Sequence, residues 1–95
     1  MTHEPRLTLA LRHLLWSQRV AALGTLGADG LPFVSMVPYA IDPQTASLLI
    51  HVSALAAHTR NLQLQPRVSL MVMQAEQQQA PVHALARVTL DAHCQ

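Results

Sequence analysis

Ser53 and the run His58-Thr59-Arg60-Asn61 bring two hydroxyls, an imidazole, a guanidinium and a carboxamide into nine residues of chain. They follow an apolar run, Ser47 to Val52, that reads as a strand with two coverable faces. Ser53 stands where a helix N-cap would be, ahead of the helix formers Ala54, Leu55, Ala56 and Ala57. A helix start leaves N–H groups unpaired and carries a partial positive charge. With a cation and hydroxyl or amide donors beside it, such a turn suits a phosphate or another anion. The plainer reading of the same residues is a strand, a short loop and a surface helix whose polar side chains are only solvated.

Little else in the chain suggests chemistry of its own. The histidines are His3, His13, His51, His58, His83 and His93, and none has a recognised metal spacing with Cys, Asp or Glu. His51 alternates with Ile50 and Val52 and reads as a strand residue. The carboxylates Glu4, Asp29, Asp42, Glu76 and Asp91 sit mainly in turns, termini or loops, so no acidic dyad is expected. There is no G-x-S-x-G elbow and no Gly-rich phosphate loop. The residues therefore name no nucleophile and no general base. If the chain belongs to an enzyme, a cofactor should carry the chemistry. Cys94 is alone, so no internal disulfide can form and a reducing cytoplasm is the default expectation.

The elements that position these groups follow from pattern and turn signals. Residues 5–18 read as an amphipathic helix, with Leu7, Leu11, Leu14 and Leu15 on one stripe and Arg6, Arg12 and His13 mostly off it. Strands are expected at about 20–26, 32–41, 47–52, 67–74 and 84–91, and a second helix at about 54–65. Gly27-Ala28-Asp29-Gly30 and Asp42-Pro43-Gln44-Thr45 mark the early turns. Phe33, Ser35, Val37, Tyr39 and Ile41 share one face of their strand, and Val34, Met36, Pro38 and Ala40 the other. Pro38 should place its strand at an edge, a bulge or a bend. Val68, Leu70 and Val72 oppose Met71 and Met73 in a strand with two apolar faces. In the second helix Leu55, Thr59 and Leu62 should face the core, with His58 beside them and Arg60 elsewhere; His58 and Arg60 should both lie on an exposed helix start. The order predicts one mainly β domain over residues 1–95, an antiparallel sheet that curls toward a barrel and carries two helices. Five strands leave an edge, so the barrel is expected to be incomplete.

Composition narrows the class. Hydrophobic residues make up 51% of the 95 and charged residues 12%, a globular balance with a charge-poor surface that hints at self-association. A net charge of +1, without a basic block, argues against nucleic acid. The apolar runs are too short to span a bilayer, and the first residues do not resemble a signal peptide, so none is expected.

Three runs together resemble a known family: WSQRVAALGTLGADGLPFVSMVPYA, then LIHVSALAAHTRNL, then PRVSLMVM. They are similar to the pyridoxamine 5′-phosphate oxidase-like proteins with the FMN-binding split barrel, in the bacterial branch that includes haem-utilisation proteins. The resemblance covers about residues 10–92. It implies an antiparallel split β-barrel that forms a homodimer, with FMN between the subunits and a small-molecule substrate. It maps ring contacts to Val34, Ser35 and Met36, and phosphate contacts to Val52, Ser53, His58, Arg60 and Asn61. The biosynthetic oxidases carry an Arg-Lys pair where this chain has Ala57 and His58, and an Arg on the second strand that has no counterpart near Val34 to Tyr39. By this resemblance the family's later segment, with its closing strand, is expected to be absent from the chain, which would then be a truncated relative. The expected function is an FMN-dependent oxidoreductase. The alternatives are a haem-binding or haem-degrading protein on the same barrel, with His51, His58 or His93 as candidate ligands, and a non-catalytic dimerising remnant.

Overall fold

A computed structural model of the chain describes residues 6–53, 55–76, 79, 81 and 85–94. His3, Glu4, Pro5, Ala54, His83, Ala84, part of the loop at 75–83 and the side chain of Leu7 lie outside the described residues. The elements run α1 (Arg6–Ser17), β1 (Val20–Leu26), β2 (Pro32–Asp42), β3 (Ser47–Ile50), α2 (Ala57–Leu64), β4 (Arg67–Met73) and β5 (Arg87–His93). The strands form one five-stranded sheet in the order β3-β2-β1-β4-β5, every pairing antiparallel. The sheet curls into a half-barrel with two helices, the split-barrel architecture that the resemblance implies.

Alternation explains which face is buried. Ala21 and Leu23 on β1, Val37 and Tyr39 on β2, and Val68, Leu70 and Val72 on β4 point into the concave face, where Leu14 and Leu62 from the helices cover them. The opposite phase of the same strands stays in water: Val34 and Met36 are each 69% exposed, and Met71 and Met73 about 40%. Tyr39 anchors α1, because its hydroxyl donates to the carbonyl of Leu15 at 2.7 Å. Burial pushes the Tyr39 phenol above its ordinary value.

The turns use the expected residues. Gly30 takes φ of +78° and donates to Gly27 O, while Asp29 Oδ1 accepts from Leu31 N. Asp42 closes the second turn by accepting from Gln44 N, and Ala46 there takes a positive φ of 57°. Pro38 sits where β2 changes partner: β2 pairs with β1 through Pro38 and with β3 from Tyr39 onward. A residue without an N–H fits that crossover, since no ladder needs its donor.

Three expectations are corrected. The third strand stops at Ile50, two residues early, because the chain turns before α2. The second helix begins at Ala57, so Leu55 lies in the preceding turn and is 87% exposed instead of facing the core. The last strand spans Arg87–His93 instead of starting near residue 84, because Leu85 buries itself first and Gln74 N donates to Ala86 O at the approach.

Candidate functional site

Helix α2 is short, polar and uncapped, and hydrogen bonds to the sheet hold it in place. Its N-cap residue is Ala56, with no side-chain cap, so Ser53 lies three residues outside the helix. Ser53 instead builds the turn before it. Its hydroxyl accepts from Leu55 N at 3.3 Å, and its carbonyl accepts from Ala56 N and from the Thr59 hydroxyl. Ala56 thus offers the first turn of α2 no side-chain acceptor, while Thr59 N already donates to the Ala56 carbonyl at 3.1 Å, so the helix start keeps only part of its capacity for an anion.

Two side-chain bonds then tie α2 to β1 and β2. His58 Nδ1 lies 2.8 Å from Ser35 Oγ, and Asn61 Nδ2 donates to Thr25 Oγ1 at 3.0 Å. Ser35 stands opposite Leu23, and Thr25 opposite Phe33, so both hydroxyls face inward at one corner of the half-barrel. Thr25 is only 3% exposed and is the buried polar residue of the described core. His58 Nε2 is buried and has no hydrogen-bond partner. The ring therefore keeps one unspent hydrogen bond beside Ser35.

The candidate residues fall into two groups. Ser35, His58 and Asn61 converge on the inner corner, with Val52 half-buried nearby against the core. Val34 and Met36 flank Ser35 in sequence but project from the opposite face of the sheet, and Arg60 is exposed on α2. His58 therefore does not lie on an exposed helix start as expected; its bond to Ser35 turns it into the fold. Among the histidines named as candidate haem ligands, His51 and His93 are exposed. No group of three metal-ligating side chains occurs among the described residues. None of the described helices is long and apolar enough to cross a membrane.

Thr25 escaped the sequence reading. Its signal was phase: in VAALGTL it shares the inward positions of Ala21 and Leu23, and an inward hydroxyl needs a partner. A substitution pair tests the two roles of α2. His58→Ala should cost about 1 kcal/mol of folding stability by leaving Ser35 unpaired, whereas Arg60→Ala should cost almost nothing. Urea denaturation of both variants reads this directly; equal midpoints would show that the His58 contact does not hold the helix.

The family described as pyridoxamine 5′-phosphate oxidase matches residues 7–95. The chain is similar to the haem oxygenase HutZ of Vibrio cholerae, at 32% identity over 89 residues. That match takes in 94% of this chain and 49% of the relative, so the chain spans about half the length of that curated protein. The solved structure of HutZ, described there as a haem storage protein, superposes with a TM-score of 0.79 at 29% identity, over 94% of this chain and 61% of that one. A haem-binding protein from Mycobacterium smegmatis superposes with a TM-score of 0.82 at 32% identity, over 97% of this chain and 37% of that one.

Proposed function

This chain belongs to the pyridoxamine 5′-phosphate oxidase family, and from that premise we propose that it is a haem-binding member which works as a homodimer. The observation that carries this reading is the apolar outer face, where Val34, Met36, Met71 and Met73 stand in water. A folded chain seldom leaves such a face uncovered, and a flat macrocycle held between two copies would cover it. The haem-binding and haem oxygenase descriptions of its relatives support the choice of ligand. Val34, Met36, Met71 and Met73 would form an apolar bed for the ring of a tetrapyrrole. When bound, haem would supply the redox and oxygen chemistry; the chain would supply an apolar bed and exclude water.

FMN is the second reading, favoured by the uncapped start of α2 with Arg60 in its first turns. The donor set there is thin for a phosphate dianion. His58 already meets Ser35, Asn61 already meets Thr25, and Arg60 is the exposed cation that remains in that turn. A flavin-dependent oxidoreductase acting on a small molecule would follow if the flavin bound.

An absorption spectrum decides between them. The purified protein is mixed with haemin or with FMN and then desalted. A Soret band that stays with the protein is the expected result. A retained two-band flavin spectrum without haemin retention would overturn the haem reading in favour of FMN.

A further inference from the structure

The strand register draws four side-chain positions into one row across the outer face. Val34 pairs with Gly24, Gly24 with Ser69, and Ser69 with Asp91. One pleat further along, Arg67 pairs with His93 on the same face. Gly24 has no side chain, so the row dips in the middle, and a groove of about 630 Å³ opens there. Its size falls within the usual range for small-molecule sites. Its two walls differ in chemistry. On the β1–β2 side it is lined by Leu26, Pro32, Phe33 and Val34, and on the β4–β5 side by Arg67, Ser69, Asp91 and His93.

The geometry points to this groove as the place that seats the acidic edge of the tetrapyrrole, an inference that rests on the haem-binding reading. An apolar ring edge would lie over Gly24 against Val34 and Leu26. A carboxylate on that edge would reach the Arg67 guanidinium, with His93 opposite as a second donor. Asp91 sets the orientation. Its carboxylate accepts from Ser69 Oγ at 2.8 Å and repels an acid group at that row, so the ligand carboxylate belongs one pleat out, beside Arg67 and His93. The match is one of placement: a ligand whose ring is apolar and whose substituents are anionic faces a groove with one apolar wall and one polar wall, whose cation, Arg67, stands one pleat out from its carboxylate, Asp91. Neither Arg67 nor His93 belongs to the turn at Ser53–Asn61, so this seat is separate from the α2 anion site.

The test is a Soret titration of the purified protein with haemin and with haemin dimethyl ester, which lacks both charges. The unsubstituted protein should bind haemin about fivefold more tightly than the ester. Arg67→Ala, and independently Arg67→Gln, should lose that fivefold preference while still binding the ester as before. Gly24→Leu should weaken both ligands by about tenfold, because it fills the floor of the groove. Gly24 tolerates a side chain sterically: a Cβ there would meet Ser69 O at 3.5 Å, an ordinary contact. Equal affinity for haemin and its ester in the unsubstituted protein would overturn the seat and leave haem binding standing. Haemin binding unaltered by Gly24→Leu would do the same. A protein that retains no haemin at all would overturn the haem reading, and this seat with it.

Discussion

Met36→Asp is expected to turn the proposed dimer into a monomer and to abolish haemin retention, while leaving the fold of the single chain intact. Met36 is 69% exposed and stands in register with Ala22, which in turn faces Met71. In the isolated chain an aspartate there would remain in water and disturb nothing. Between two apolar faces it would be an unpaired buried charge, at a cost of several kcal/mol. That is on the order of a thousandfold in the dissociation constant of the dimer. Light scattering coupled to size exclusion reads the assembly, and a Soret titration reads the ligand. The Arg67→Ala variant provides the contrast, because it should lose selectivity for the acid and keep the dimer. A Met36→Asp protein that stays dimeric and still holds haemin would show that the outer face is not where the second copy and the ligand meet.

Which side chains share a face of this half-barrel could be read in advance because a strand's period is two; which face is buried could not, since β2 is apolar on both and carries Ser35 on the inner one. Val37 and Tyr39 against Val34 and Met36, and Val68, Leu70 and Val72 against Met71 and Met73, followed from alternation alone. The start of α2 did not. Ala54 through Ala57 are all adequate helix formers, so propensity cannot choose among them. The choice is made by contacts distant in sequence: His58 with Ser35, 23 residues away, and Asn61 with Thr25, 36 away. Ser53 resembled a cap because serine serves both caps and turns, and here it serves the turn. The groove over Gly24 was hidden for the same reason. Its walls come from four strands, and only the register between them brings Arg67 to His93 and Val34 to Ser69 across Gly24.

Leu23→Ala should be the most destabilising single substitution of this set, at about 3 kcal/mol. Leu23 is fully buried on β1, the middle strand of the sheet, with Ser35 of β2 on one side and Leu70 of β4 on the other. Removing its isobutyl branch leaves a void that hydrogen-bonded strands on both sides prevent from closing, which places the cost in the middle of the range for such truncations. A domain of this size holds a stability of about 5–15 kcal/mol, so the loss is a large share of the whole. Met36→Ala, one pleat away on the neighbouring strand but on the outer face, should change the stability of the single chain by less than about 0.5 kcal/mol. Urea denaturation at a concentration low enough to keep the chain monomeric separates the two effects. A Leu23→Ala midpoint indistinguishable from that of Met36→Ala would mean that the concave face is not the core. The assignment of the outer face to ligand and partner would then fail as well, since it depends on the sheet having one buried side and one free one.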